Sequence, residues 1–222
     1  RMVNEDANSH MVGTAMAVIG RTFKQRLLIL AEEKYGPAPV PYCFIALGSM
    51  ARDEQLIVTD QDNALILDDS YNDELHNEYF QNIADFVCDG LAQCGYTYCD
   101  GEIMASFKKW RKTRSQWFEQ FADWIAKPKP QTLLHSSIFF DLDGVWGKTK
   151  WADELKVFVA KQSKANRVFL ANMAANARNR TPPLGFFKGF VLEHNGQHKH
   201  SMNLKRRGTA PLSDVIRVHA LA

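Results

Sequence analysis

Two short motifs in the first third of the chain have the residue types of a site for phosphate and metal. The pair Gly48-Ser49 ends one apolar run, and Asp60 and Asp62 stand directly before the next. Glycine lets a phosphate approach the backbone closely, while a serine hydroxyl and the amides of a following helical turn can donate hydrogen bonds to it. Paired carboxylates are hard oxygen ligands of the kind that Mg²⁺ prefers. These residues therefore predict the handling of a phosphorylated ligand with divalent ions.

The two apolar runs beside these motifs are expected to be neighbouring strands. Val40–Leu47 and Asn63–Leu67 have the length and composition of buried strands. Side chains two residues apart on an extended chain lie on the same face, so Asp60 and Asp62 should project side by side and share metal ions. Two such ions can hold the attacking and leaving oxygens of an in-line phosphoryl displacement.

The local charge agrees with a cation site. Residues 53–78 contain nine acidic side chains and no lysine or arginine. A solvated acidic loop accounts for the acids of residues 68–78. It accounts poorly for Asp60 and Asp62, because these adjoin an apolar strand that should be buried.

Apolar spacing predicts the other elements of the first part of the chain. A period of three to four residues indicates a helix, and a continuous apolar run indicates a strand. The resulting expectations are helices over Met11–Tyr35, Asp73–Cys94 and Trp110–Ala126, a strand over Tyr96–Ala105 and an extended segment over Leu133–Phe140 that ends at Asp141.

The second part of the chain has a mostly helical pattern. Helices are expected near residues 150–162 and 164–179, a hairpin around the turn pair Asn195-Gly196, and a last helix from near Pro211. With a linker over Lys127–Pro130, we expect a domain over residues 1–130 and a second over 131–222. The expected fold class is α/β (α+β), a small mixed sheet flanked by helices and followed by a helical domain.

Composition excludes several classes of protein. The chain of 222 residues has 27 Lys and Arg against 25 Asp and Glu, a net charge of +2, which argues against nucleic acid as the partner. No apolar run of 18 residues and no secretory signal are found, so no membrane contact is expected. The four cysteines form no C-x-x-C pair, which is typical of reduced thiols in a cytoplasmic protein.

The fuller motif extends the argument by resemblance. Gly48-Ser49-x-Ala51-Arg52-x-Glu54, followed by Thr59-Asp60-Gln61-Asp62-Asn63-Ala64, resembles the signature of the polymerase-beta-like nucleotidyltransferase superfamily. It looks like the branch often fused to CBS or cyclic-nucleotide-binding modules and similar to PII-protein uridylyltransferases. The resemblance runs from about residue 10 onward and includes Met104-Ala105, Trp110, Trp117, Phe139-Phe140-Asp141, Pro182–Phe187 and Leu204–Gly208.

The resemblance implies transfer of a nucleoside monophosphate from an NTP to a hydroxyl, with pyrophosphate leaving. Gly48 and Ser49 would hold the triphosphate, and Asp60 and Asp62 would bind two Mg²⁺ ions. Arg52 would contact a phosphate or pair with an acid, while Glu54 would support the loop. The implied acceptor is a PII-type signalling protein, and fused CBS or cyclic-nucleotide-binding domains are expected if the chain is an excerpt. A non-catalytic nucleotide-binding module in signal transduction is the alternative.

A third carboxylate is usual in the superfamily. We favour Asp141 because it follows the apolar run Ile138–Phe140, and Asp100 and Glu102 are the alternatives. Relatives commonly have an arginine two places after that aspartate, where this chain has Asp143, so a phosphate contact made by that arginine would be missing.

Three other groups carry weaker hypotheses. Basic residues 108–114 beside two tryptophans could bind nucleic acid, although tryptophans facing a core explain the pattern better. Lys188 and Lys205–Arg207 could line the phosphate side of a cleft or be solvated. His194, His198 and His200 surround a turn and lack an evident third zinc ligand.

Overall fold

The computed structural model describes residues 8–55, 59–179, 201, 204 and 208–222. Within these residues it contains helices and a four-stranded sheet. The helices are α1 (Ser9–Tyr35), α2 (Asp73–Gln93), α3 (Arg114–Ala126), α4 (Pro130–Phe139), α5 (Lys150–Ala165), α6 (Arg167–Arg178) and α7 (Ala210–Leu221). The strands are β1 (Tyr42–Leu47), β2 (Asn63–Leu67), β3 (Arg111–Thr113) and β4 (Leu142–Gly147).

The sheet is mixed, as the sequence predicts. Its strand order is β3-β2-β1-β4, with β1 antiparallel to both β2 and β4, and β2 parallel to β3. The register pairs Ala46 with Asn63 on one side of β1 and Leu47 with Leu142 on the other. The carboxyl end of the central strand therefore lies between the amino ends of both its neighbours.

One face of the sheet packs against α1 and α2. The apolar side chains at this interface are fully buried, among them Leu28 of α1, Phe44 of β1, Leu65 of β2 and Phe80 of α2. Because all six residues of β1 are buried, the strand is fixed firmly at the centre of this layer.

Aromatic side chains cover the other face. The Trp117 indole is fully buried and donates a 2.9 Å hydrogen bond from Nε1 to the Leu65 carbonyl. Its ring stacks on Trp110 with centroids 6.4 Å apart, and Phe139 lies 4.5 Å from Trp110 and 5.3 Å from Trp117. The tryptophans therefore face a core, which confirms the structural explanation of the aromatic pattern.

The strand predicted over Tyr96–Ala105 is wrong. That segment pairs only through a single bridge from Thr97, and the third strand is the short Arg111–Thr113. The backbone is satisfied instead by the first residue of β2: Asn63 donates from its amide to the Ile103 carbonyl at 3.1 Å, and its Oδ1 accepts from the Ala105 amide at 2.8 Å. The predicted start of the next helix at Trp110 is also wrong, since α3 begins at Arg114.

The extended segment predicted over Leu133–Phe140 is wrong as well. It is helix α4, whose first turn is closed by the Thr132 hydroxyl, which accepts a 2.7 Å hydrogen bond from the Lys129 amide. A short apolar run fits a buried helix as well as a strand, and periodicity alone does not separate them. The strand of this region is β4, which starts directly after Asp141.

The chain divides into two compact units. One comprises Arg1–Gln120 and Ile138–Val157, and the other comprises Phe121–Ser137 and Phe158–Ala222. In the second unit, α6 buries Phe169 and Met173, and α7 carries a buried ion pair between Asp214 and Arg217. The helical character of this region agrees with the predicted pattern. The predicted boundary at residue 130 stays a prediction.

Two further expectations concern membrane spans and the region around Asn195-Gly196. None of the helices in the described ranges combines the length and apolarity that crossing a bilayer requires. The hairpin around Asn195-Gly196, the three histidines beside it, and the basic residues Lys188 and Lys205–Arg207 lie outside the described residues.

Candidate functional site

The turn after β1 is held between two aspartates. Gly48–Met50 forms one turn of 3₁₀-helix at the carboxyl end of the strand. The Leu47 amide donates to the Asp62 carbonyl at 3.0 Å, and the next amide, of Gly48, donates to the Asp141 carbonyl at 2.9 Å. Successive amides thus form hydrogen bonds with the two neighbouring segments, which brings both aspartates beside the turn.

Gly48 is required in this turn for two reasons. Its φ of +61° lies in the left-handed region, where a side chain costs about 1–2 kcal/mol. A Cβ at this position would also stand 3.3 Å from the Asp62 Oδ2, closer than most side-chain contacts. The carboxylate of Asp62 is therefore packed directly against the glycine backbone.

Asp60 and Asp62 stand on either side of a fully buried residue. Gln61 points into the interior and donates from Nε2 to the Cys88 carbonyl at 3.0 Å. Asp60 is exposed and Asp62 half-buried, which is the alternation of an extended chain. Asp60 also accepts a hydrogen bond from the Thr97 hydroxyl at 3.1 Å. This arrangement fits the prediction of two carboxylates on one face, and their role as metal ligands stays a prediction.

Cys99 is a neighbour of Asp62 that the sequence analysis missed. Burial of the Cys99 thiol and the negative charge of the Asp62 carboxylate, which accepts a hydrogen bond from it, raise the pKa of Cys99 to about 11. The thiol is therefore a protonated donor at neutral pH. Position alone could have suggested this contact, since Cys99 lies in the segment that follows α2 and returns beside β2.

Asp141 lies beside the turn but not for the predicted reason. It precedes β4 rather than ending an extended run, and its side chain is 13% exposed. Its carboxylate pairs with the Arg52 guanidinium. Arg52 also donates from Nε to Glu54 at 2.9 Å, and the Glu54 amide donates to the Ser49 carbonyl at 3.0 Å. The sequence analysis expected Arg52 to contact a phosphate or to pair with an acid, and the structure contains the pairing with acids.

The alternatives to Asp141 lie on the other side of β2. Glu102 is exposed and accepts a 2.9 Å hydrogen bond from the Lys109 ammonium. It adjoins Ile103, whose carbonyl binds the first amide of β2. Asp100 is exposed in the same segment. The assignment of the third carboxylate stays a prediction.

Asp143 is surrounded by positive charge. It pairs with the Arg21 guanidinium of α1 and accepts a 3.1 Å hydrogen bond from the Lys156 ammonium of α5. Arg21 also donates to the Gly144 carbonyl at 2.9 Å. Two cations thus pair with the residue at which relatives commonly have an arginine, and the absence of that arginine's phosphate contact stays a prediction.

The basic cluster beside the tryptophans is engaged in surface contacts. Lys108 pairs with Asp73 at 2.7 Å and Lys109 with Glu102 at 2.9 Å, and all four side chains are about half exposed or more. Arg111 is buried and donates to the Ala105 carbonyl at 2.8 Å. These contacts give the cluster a structural role in the first unit.

The donor set of the paired aspartates suits a hard cation. Asp60 and Asp62 offer carboxylate oxygens, and Gly48 has no side chain that would press on the Asp62 carboxylate. Among the described residues no cluster of three or more His, Cys, Asp or Glu side chains forms a metal site by itself. An ion at this position would therefore complete its shell with ligand oxygens and water.

Comparison with known proteins identifies both parts of the chain. A family model described as "Putative nucleotidyltransferase DUF294" matches residues 1–131, and one described as "Putative nucleotidyltransferase substrate binding domain" matches residues 167–222. No curated protein matches the chain. The first match covers more than half of the sequence and contains the Gly48 turn and both paired aspartates.

Proposed function

The chain belongs to the family described as "Putative nucleotidyltransferase DUF294", and from this membership we propose that it is an Mg²⁺-dependent enzyme that transfers a nucleoside monophosphate from an NTP to a hydroxyl group. The family description supports nucleotidyl transfer in general terms. The observation that carries the finer proposal is the position of the Gly48 turn. Two successive amides at this turn donate hydrogen bonds, one to the Asp62 carbonyl and the next to the Asp141 carbonyl.

The turn is the proposed holder of the triphosphate. The Ser49 side chain is half-buried beside Gly48, and Gly48 has no side chain to stand between the backbone and a ligand. Amides at the start of a helical turn attract phosphate oxygens. Ser49 would donate its hydroxyl to the β- or γ-phosphate, and Arg52 would add a positive charge from the same loop.

Asp60 and Asp62 are the proposed metal ligands, with two Mg²⁺ ions as the expected cofactor. When bound, the ions would supply Lewis-acid polarisation of the α-phosphate and neutralise the charge that develops on pyrophosphate. In the transfer itself, the acceptor oxygen forms a bond to the α-phosphorus while the bond from this phosphorus to the bridging oxygen of pyrophosphate breaks. The acceptor proton passes to a carboxylate, for which Asp141 is the first candidate.

Arg52 determines when Asp141 can take that proton. The Arg52 guanidinium is paired with the Asp141 carboxylate, so an acceptor hydroxyl can reach this carboxylate only after Arg52 has moved. We propose that Arg52 leaves Asp141 for the triphosphate when the NTP arrives. The half-exposed carboxylate of Glu54 then loses the hydrogen bond from the Arg52 Nε as well.

The acceptor is proposed to be a protein of the PII signalling type, modified on a tyrosine hydroxyl. This part rests on the resemblance of the motif to PII-protein uridylyltransferases, and the second family model describes the region from Arg167 onward as a substrate-binding domain. A signalling role in the cytoplasm follows from the same resemblance.

A non-catalytic nucleotide-binding module is the second candidate. The ion pair between Arg52 and Asp141 favours it, because an arginine that stays on Asp141 would still allow the Gly48 turn to bind a nucleotide but would stop proton transfer. This module would bind NTP and signal through conformation rather than through a product.

The test is a transfer assay with α-³²P-labelled NTPs, Mg²⁺ and a panel of acceptors that includes a PII-type protein. We expect label on an acceptor with wild type and with Glu78→Gln, an exposed acid of α2, and none with Asp60→Asn. Tight NTP binding without transfer to any acceptor would favour the non-catalytic module. Absence of both binding and transfer would refute the proposed function.

A further inference from the structure

Lys24 carries a fully buried amine that the proposed chemistry does not use. It lies in the middle of α1 and has no exposed surface. Its ammonium donates a 3.2 Å hydrogen bond to the Gly20 carbonyl of its own helix and stands 5.5 Å from the centroid of the Tyr96 ring. Among the described residues no carboxylate lies within ion-pair distance of it, which is rare for a buried lysine.

Lys24 shares a small cavity with residues of the Gly48 turn and of the strand before it. It lines a cavity of about 10 Å³ together with Ala46 of β1 and Met50, the last residue of the turn. Such a volume holds about one water molecule. Met50 directly follows Ser49, and Ala46 precedes Gly48 by two residues, so the cavity borders the backbone that carries the proposed triphosphate contacts.

The charged groups around Lys24 do not neutralise it. Arg21 lines the same cavity and is itself a cation, and its own partner is Asp143 of β4. From the segment after α2, Tyr96 faces Lys24 with its ring, and the Tyr96 hydroxyl accepts a 2.8 Å hydrogen bond from Gln55. Burial, and to a smaller extent the charge of Arg21, lower the pKa of Lys24 to about 7.

We propose that Lys24 is the buried counter-charge of the nucleotide site, and that it takes up a proton when a triphosphate binds at the Gly48 turn. The proposal rests on the proposed function, which places the triphosphate there. A negative ligand stabilises a nearby ammonium strongly in a medium of low dielectric constant. By thermodynamic reciprocity, the protonated lysine strengthens triphosphate binding by the same factor.

The test is isothermal titration calorimetry with Mg²⁺ and the α,β-methylene analogues of ATP and UTP, which resist cleavage at the bond that the reaction breaks. Inorganic triphosphate serves as a base-free probe. Each titration is run in buffers of different ionisation enthalpy at pH 7.5, so that proton uptake appears as a buffer-dependent heat. Wild type is compared with Lys24→Met and with Lys34→Met, an exposed lysine at the end of the same helix.

We expect wild type and Lys34→Met to take up roughly half a proton per triphosphate, if binding raises the pKa of Lys24 by about one unit. Lys24→Met should take up none and bind about fivefold more weakly at pH 7. Wild-type affinity should fall about fivefold as the pH rises from 7 to 9, since the free amine loses its charge, whereas Lys24→Met should show no such fall.

The outcomes separate this proposal from the proposed function. Binding of a probe to wild type with the same heat in every buffer overturns the role of Lys24 and leaves the nucleotide site standing. Equal proton uptake by Lys24→Met and wild type also overturns it. Failure of every probe to bind wild type refutes both. The wild-type measurement alone can overturn the proposal, even if a variant does not fold.

Discussion

The described contacts of the aspartates differ between the two sides of the Gly48 turn. On the β2 side, the contacts described for Asp60 and Asp62 come from the Thr97 hydroxyl and the Cys99 thiol. On the β4 side, Asp141 contacts a guanidinium, and Asp143 contacts a guanidinium and an ammonium. Neutral donors orient a carboxylate without cancelling its charge, whereas cations neutralise it. Under the proposed function, the β2 side would hold the metal ions, and the β4 side would position groups and take the acceptor proton.

The largest expected effect separates the two sides directly. Asp62→Asn should lower kcat/KM for nucleotidyl transfer by about a thousandfold, because a metal ligand that stabilises the transition state by several kcal/mol is lost. Asp143→Asn removes the same charge on the β4 side and should change kcat/KM by about threefold or less, since Asp143 has no part in the proposed chemistry. Steady-state kinetics at varied Mg²⁺ measure both. Equal losses in the two variants would contradict the comparison.

The next effect concerns stability and pH. The pKa of Lys24 is lowered from 10.5 to about 7 in the folded chain. The unfolded chain therefore binds more protons between these pH values, and the free energy of unfolding of wild type rises with pH through this window. Lys24→Met should remove this part of the rise and stabilise the fold at pH 7 by about 2–4 kcal/mol. Urea denaturation at pH 7 and pH 9.5 measures it, with Lys34→Met as the matched control. A destabilised Lys24→Met at pH 7 would show that the amine makes a necessary contact.

A third prediction decides which flank supplies the third carboxylate. If Asp141 takes the acceptor proton, Asp141→Asn should lower kcat by about a hundredfold, because general-base catalysis contributes that much or more. Glu102→Gln should then leave kcat within about threefold, since its exposed carboxylate pairs with a lysine. Single-turnover rates of label transfer measure the chemical step. The reverse pattern would move the third carboxylate to the other flank of β2.

The smallest effect tests the turn that separates the two sides. Gly48→Ala should lower the free energy of unfolding by about 1–2 kcal/mol, because alanine is strained at positive φ. The added Cβ would also press on the Asp62 carboxylate, so nucleotide affinity should fall more than stability alone explains. Thermal unfolding and the calorimetric Kd of the methylene analogues measure the two effects. Gly95→Ala, another glycine at positive φ with open space around it, is the control for strain alone.

The sequence predicts the parts of the fold whose pattern reflects burial. Strand β1 is an apolar run that is buried at every residue, and β2 is another, so both were expected in the correct place. Helices α1 and α2 follow from apolar residues at helical spacing, and the structure places their ends within two residues of the prediction. The positions of Gly48 and the paired aspartates follow from these strands.

The parts that the sequence does not predict depend on tertiary contacts. Strand β4 contains Asp143 and Gly144, which have low strand propensity, and it forms because it pairs with β1 at the edge of the sheet. Gly144 is also necessary there, since a Cβ would lie 2.8 Å from the Thr149 backbone. The loop over Tyr96–Ala105 buries apolar residues without forming a strand, because the Asn63 side chain satisfies part of its backbone. No local pattern in the sequence signals either contact.

The Leu47 and Gly48 amides donate hydrogen bonds to segments on opposite sides of the turn, so their exchange rates can report on ligand binding. Both amide hydrogens are sheltered inside the first unit, yet each depends on a different flanking chain for its acceptor. Deuterium exchange rates at these two consecutive amides would therefore report separately on the two segments. Slower exchange at the Leu47 amide would show that a bound ligand stabilises its bond to Asp62, and slower exchange at the Gly48 amide would show the same for its bond to Asp141.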